Sequence, residues 1–243
     1  TFVSPFDRFF YSEIDAIIQV YAETNTKRLS NIPPSKLKQN AASQREIYSI
    51  RAKRLLKPGG LAIIPYPTAA LAQEASMSLF EYEDFVEKAC FLQKKDPVKE
   101  WKELSKMQEK VAKRLNKAKN MRFVGDDTDL RLRVEGRKWF NCDGHVNMPD
   151  GEVFTAPTEN SVNGTIRFTF PGIVSGREIE DIKLAFKDGR VIKASAAVGD
   201  EFLQQTLKVA GADRIGEASI GTNYAITTFT KNMRFDEERG GTI

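Results

Sequence analysis

Histidine is almost missing from this chain of 243 residues, with His145 standing alone. Any Ser-His-Asp or Cys-His machinery would therefore rest on one residue, and that residue sits in the turn-rich stretch Cys142-Asp143-Gly144-His145-Val146-Asn147, where a solvent-exposed side chain is the simpler reading. Cysteine is nearly as scarce. Cys90 and Cys142 lie far apart and outside any CxxC spacing, so they read as two free, semi-buried thiols rather than a disulfide framework. Gly-x-Ser-x-Gly, the P-loop and the dinucleotide fingerprint are all absent, which sets aside the enzyme classes built on them. No apolar run approaches the ~18 residues of a membrane span. The opening Thr1-Phe2-Val3-Ser4-Pro5 is no signal peptide, so the reading is a cytoplasmic protein with no membrane partner. An excess of one charge is also lacking. The 37 basic and 33 acidic residues leave a net charge of +4, an ordinary mixed surface with no strong pull toward nucleic acid.

What is present is apolar residues in regular patterns, 41% of the chain with 16 Phe, enough for a substantial core. Ile14, Ile17, Ile18 and Tyr21 recur at helical spacing, although their β-branched content leaves a strand open. A polar helix is expected over 43–56, ended by Pro58-Gly59-Gly60, then a buried strand at Leu61-Ala62-Ile63-Ile64 and an amphipathic stretch from Thr68 to Cys90. Asp96-Pro97 is a strong helix start, and Val98, Trp101, Leu104, Val111, Leu115 and Ala118 follow at intervals of three, four or seven. The lysines on the opposite face of that helix are interrupted by Glu100, Glu103 and Glu109 and carry no interleaved aromatics, so they read as a solvated face. From about Met121 the pattern alternates as in strands, and Asp188-Gly189 between Ile182-Leu184-Phe186 and Val191-Lys193-Ser195 marks a hairpin. A short helix is expected over 200–209, then β structure over 215–233. The predicted fold class is α/β plus α+β. The remnant of an N-terminal α/β domain (1–120) precedes a β-rich C-terminal catalytic domain with antiparallel hairpins (121–243).

The chemistry left over is acidic. Glu152 lies where the Pro149-Asp150-Gly151 turn enters an apolar strand, and Glu217 lies among small and apolar residues in Ile215-Gly216-Glu217-Ala218. Buried charge is costly unless it is paired or binds a cation, and carboxylates around divalent ions are one resolution. Asp236-Glu237-Glu238 forms a third acidic group. From spacing alone, ordinary salt bridges and turn acids are the favoured reading of all three.

These segments resemble the aminopeptidase T family of metallo-aminopeptidases. The strings that carry the likeness include Gly136-Arg137-Lys138-Trp139 and Asn147 through Pro157, which contains Gly-Glu-Val-Phe-Thr-Ala-Pro. Further strings are Ser161 through Ile166, Ile215-Gly216-Glu217, Gly221-Thr222-Asn223-Tyr224 and Phe235 through Ile243. The likeness is dense from about residue 65 onward. It implies an exopeptidase that removes N-terminal residues from peptide substrates with two divalent metal ions, Zn, Co or Mn. Of the family's ligands, two glutamates map onto Glu152 and Glu217, and Glu217 is the candidate for a bridging or base role. The family's first histidine would follow Gly240-Gly241-Thr242-Ile243, with a second histidine, an aspartate and an active-site tyrosine further on, and His145 matches no ligand position. The chain therefore reads as a piece of a longer protein, inactive by itself, and family analogy implies a homodimer. The rival reading is a non-catalytic peptide- or protein-binding module on the same scaffold.

Overall fold

The computed structural model describes residues 3–243. Helix α1 (Pro5–Glu13) starts with Pro5 at its first position and the Ser4 side chain accepting from the Asp7 amide. The next segment is not a helix. Ile17, Ile18 and Val20 form strand β1 (Ile17–Tyr21), whose β-branched side chains suit a pleated surface. Helix α2 (Pro34–Leu55) begins well before residue 43, because Pro34 takes the first-turn position where a missing amide costs nothing. It carries the chain over to β2 (Leu61–Pro65), parallel to β1, which makes a βαβ unit. The apolar run of β2 predicts a buried strand, yet Ile64 is 36% exposed and Ile18 and Val20 on the same face are exposed too. Among the described residues no layer covers that face. The other edge of β2 is taken by the loop Val146–Met148, with Ile63 N donating to Val146 O at 2.7 Å and Met148 N to Ile63 O at 3.0 Å.

The amphipathic stretch after Thr68 splits into α3 (Ala69–Glu74) and α4 (Leu79–Ala89), parted at Ser76 with φ 57° and restarted by a Ser78–Glu81 capping box. Helix α5 (Pro97–Leu115) begins as its sequence predicts, with Asp96 Oδ1 accepting from Lys99 N at 3.0 Å.

Strands β3 (Asn120–Gly125) and β4 (Thr128–Arg133) open the second half, followed by β5 (Phe140–Asn141), β6 (Glu152–Thr155) and β7 (Asn163–Phe168). A small hairpin of β8 (Gly172–Val174) and β9 (Arg177–Ile179) precedes β10 (Ile182–Lys187) and β11 (Arg190–Ser195). The last elements are α6 (Asp200–Leu207), β12 (Ala218–Gly221) and α7 (Met233–Asp236). The Asp188-Gly189 hairpin forms as expected, both residues having positive φ. It is the edge of a five-stranded antiparallel sheet in the order β11-β10-β7-β4-β3, while β12-β6-β5 make a second, three-stranded antiparallel sheet. Only four residues of the expected β stretch 215–233 are strand, because the loop after Gly221 turns its hydrogen bonds toward other segments.

Two apolar clusters hold this together. One joins Leu130, Leu132, Ile166 and Phe186 of the large sheet to Val153 of the small one, with Val134, Trp139 and Ala112 of α5 alongside. The other packs α3 and α4 against Ile226 and Phe235, with Tyr82, Phe85 and Phe235 stacked edge to tilted. The mixed α/β and antiparallel α+β architecture is the one expected. No described helix is long and apolar enough to cross a membrane.

Candidate metal centre

Glu152 opens the middle strand of the small sheet and is 7% exposed. Two glycines let the backbone close around it. A Cβ on Gly151 (φ 155°) would stand 2.4 Å from the Asn223 Cβ, and one on Gly221, the residue paired with Glu152, would stand 2.0 Å from the Arg239 carbonyl oxygen. Cross-strand partners project to the same side of a sheet, so the segment Arg239–Thr242 lies over the face that carries the Glu152 side chain. It is tied there by Gly221 N to Thr242 O and Gly241 N to Gly221 O, each 3.0 Å. Glu152 Oε1 has the Cys142 thiol at 3.9 Å, and Oε2 is buried without a hydrogen-bond partner.

Alternation along β12 puts Ser219 and, one residue before the strand, Glu217 on the same face as Glu152 and Phe154. Glu217 is the more exposed of the two acids, yet burial of its carboxyl still raises its pKa. Burial pushes Glu152 up to about 7, with the charges of Glu217 and then Glu237 adding to the effect and the Ser219 hydroxyl opposing it. Glu237, at the end of α7, is likewise pushed up to about 7, first by burial and then by Glu217. Among the described residues none of these three carboxylates has a lysine or arginine within ion-pair distance, although Arg234 tempers Glu237.

Behind this face lies a second layer. Asp150 and Glu238 are buried against one another; burial raises both, Glu238 the further because the Asp150 charge adds to it, while the hydrogen bond from Glu238 holds Asp150 down. A proton between them is the arrangement that removes one buried charge. Asp150 also accepts from Gly144 N at 3.0 Å and Gly151 N at 3.3 Å. Asn223, with no exposed surface, donates to Ala89 O (3.1 Å) and Asp150 O (2.9 Å) and accepts from Ala225 N (3.0 Å). Its own backbone amide donates to Glu238 O at 3.0 Å. Gln108 of α5, equally buried, reaches Cys142 O at 2.8 Å, Glu152 O at 3.3 Å and Thr222 Oγ1 at 3.1 Å.

The structure thus brings Glu152 and Glu217 to one face and adds Glu237, which composition and spacing left in an undifferentiated acidic run. His145 lies outside this group, largely exposed and paired with Asp143. Cys90 and Cys142 are free thiols, and burial raises both. Gln108 escaped notice, although it is the one uncharged amide interrupting the Leu104–Val111–Leu115 stripe of α5.

The profile of the family described as thermophilic metalloprotease (M29) matches residues 1–243. The chain belongs to that family. It is 27% identical to Aminopeptidase 2 of Geobacillus stearothermophilus, across 91% of this chain and 59% of that protein. Identity to Aminopeptidase PepS of Streptococcus thermophilus is 30%, across 71% of this chain and 45% of that protein. In fold it matches wild-type AmpT from Thermus thermophilus with a TM-score of 0.76 and 22% identity, covering 97% of this chain and 63% of that one. The chain accordingly spans about half of the length of the curated relatives it matches.

A metalloprotease family implies a divalent metal, and the residues here can be tested against one. A carboxylate oxygen buried without a partner, beside further carboxylates that no lysine or arginine neutralises, is a cost that a divalent cation would remove. Among the described residues no group of three or more His, Cys, Asp or Glu stands close enough to enclose an ion. Glu152 and Glu217 therefore fit as part of a ligand set.

Proposed function

We propose that the protein containing these residues is an aminopeptidase that hydrolyses the first peptide bond of its substrates, with Glu152 and Glu217 as carboxylate ligands of a pair of divalent ions. The supporting observation is the Glu152 side chain, buried with an unpartnered oxygen on the face it shares with Glu217. Zn, Co or Mn suits a shell that mixes carboxylate with other donors. When bound, such ions polarise the scissile carbonyl and lower the pKa of a water enough for attack near neutral pH. The chain's own residues do the holding. Asn223 and Gln108 fix the backbone on either side of Glu152, and the Arg239–Thr242 segment closes over it. Glu217, more open to solvent, is the group able to accept and return a proton at its carboxylate, and it is our candidate for the bridging or base role.

Residues 121–243 carry both carboxylates in this reading, and 1–120 form the supporting α/β part. These 243 residues alone, offering two ligands, would hold metal weakly and hydrolyse little. A homodimer is part of the same proposal on family grounds, and a cytoplasmic location rests on the two free thiols. A second reading, a peptide-binding module without catalysis, draws on the absence of a complete ligand group among the described residues.

The test is release of amino acid from Leu- or Phe-aminoacyl reporters by the whole protein, with and without a chelator. The proposal expects release that a chelator abolishes, that added Co or Zn restores, and that Glu217→Gln removes. Release indifferent to the chelator, or none with either metal, would overturn it. Peptide binding without release would favour the module.

A further inference from the structure

Strand β5 ends one residue before the position that faces Glu152. Phe140 pairs with Phe154 and Asn141 with Val153, so the next residue, Cys142, stands opposite Glu152, and its amide donates to the Glu152 carbonyl at 2.8 Å. Cross-strand partners project to the same side of a sheet. The half-buried Cys142 thiol accordingly lies beside the Glu152 carboxyl, with Sγ 3.9 Å from Oε1. The backbone under this pair is held from α5, where Gln108 Nε2 donates to the Cys142 carbonyl at 2.8 Å and to the Glu152 carbonyl at 3.3 Å. The charges of Asp150, Glu152, Glu238 and Glu217 all reach the sulfur, so the surroundings favour a cation there.

A hydrogen bond from the thiol would serve Oε1 alone. Oε2 of the same carboxyl, in a side chain only 7% exposed, stays without a partner. A sulfur and an oxygen at this separation have room for a metal ion between them. Zinc bonded at about 2.3 Å to sulfur and about 2.1 Å to oxygen, with a tetrahedral angle at the metal, holds the two atoms about 3.6 Å apart. The observed 3.9 Å exceeds that span by about 0.3 Å, which a small widening of the angle absorbs. We propose that Cys142 is a sulfur ligand of the ion bound by Glu152. This rests on reading Glu152 as a metal ligand, and it adds a donor of a different chemical kind to the two carboxylates. On binding, the thiol gives its proton to solvent and the thiolate sulfur takes the metal. Thiolate favours soft and borderline ions such as zinc and cadmium over manganese, which prefers oxygen donors. Cys142 thereby biases the site toward zinc.

The experiment uses the whole protein, stripped with a chelator and then titrated with Cd, Zn or Mn alone. Cadmium bound to thiolate has a charge-transfer band in the ultraviolet. Wild type and Cys90→Ser should show that band at saturation, and Cys142→Ser should lack it. In competition with a chromophoric chelator, Cys142→Ser should weaken Zn binding by about tenfold or more and Mn binding by about twofold or less, whereas Glu152→Gln should weaken both strongly. X-ray absorption of zinc-loaded wild type should show a sulfur neighbour at about 2.3 Å, which decides the matter if Cys142→Ser does not fold. Cys90, the only other cysteine, is buried in the apolar cluster of α3 and α4. Equal cadmium bands in wild type and Cys142→Ser would overturn the proposal, as would equal losses of Zn and Mn binding in that variant, or bound zinc with no sulfur neighbour. Cys142→Ser behaving as wild type while Glu152→Gln loses both metals would overturn this proposal alone. Zn binding left unchanged by Glu152→Gln would strike the reading of Glu152 as a ligand, and this proposal with it.

Discussion

Glu152→Gln in the metal-free protein gives the sharpest test of the site's electrostatics. In the folded chain the Glu152 carboxyl is raised from 4.5 to about 7, chiefly by burial. A raised carboxyl binds its proton more tightly when folded than when unfolded. Its contribution to stability is therefore complete below about pH 4.5 and is lost as pH rises through about 7. Each tenfold gain in proton affinity is worth ~1.4 kcal/mol, so the carboxylate costs roughly 3 kcal/mol once fully ionised. Glutamine has the same shape and no charge to bury. Allowing about 1 kcal/mol for an imperfectly paired amide, Glu152→Gln should stabilise the chelator-treated protein by about 2 kcal/mol near pH 8, and by nothing near pH 5. For a chain of this size that is a melting temperature higher by roughly 4–8 °C. The assay is thermal unfolding at the two pH values, in chelator and then in excess Zn or Co. Metal at ~100 times its Kd should stabilise wild type by about 2.7 kcal/mol and leave the variant nearly unmoved. A variant less stable than wild type near pH 8 in chelator would refute the reasoning, and so would one that kept the full response to metal.

The backbone that frames Glu152 makes two further predictions. Gly221→Ala would press a methyl group to 2.0 Å from the Arg239 carbonyl, so the segment over Glu152 must move. A loss of about 3 kcal/mol or more is expected in denaturant unfolding, together with weaker metal binding. Asn223→Ala leaves the carbonyls of Ala89 and Asp150 and the amide of Ala225 without their partner. It should cost about 3 kcal/mol in the same measurement, and unchanged stability would show that water replaces all of these bonds.

What could be read from sequence and what could not differ in physical kind. Helix α5 was legible because cap, proline and apolar stripe agree over nineteen residues. The Asp188-Gly189 hairpin was legible because its two positive-φ positions need such residues. β1 was ambiguous because five residues fit either period, and only its pairing with β2, across the whole of α2, makes it a strand. The overestimate of burial at Ile64 has the same origin, since an apolar run does not reveal how many layers surround it. Glu152 and Glu217 came from resemblance, because a spacing of dozens of residues says nothing about a shared face until β6 and β12 are known to pair.

Asp236-Glu237-Glu238 shows the limit most clearly. In sequence these are three equivalent acids before two glycines. Asp236 ends the short helix α7, Glu237 caps it and Glu238 lies beyond it, so the three meet different surroundings. Asp236 is taken up by the Thr230 turn, and Glu238 is buried beside Asp150 behind the Glu152 strand. Glu237 is left lining a hollow with Glu217, Phe168 and Met233. One acid holds a turn, one joins a buried pair and one stands beside Glu217. The difference follows from which partners the fold presents on each side of α7, and that is decided by segments far away in the chain, the Thr230 turn and the Asp150 loop, so three neighbouring acids of one type end in three environments.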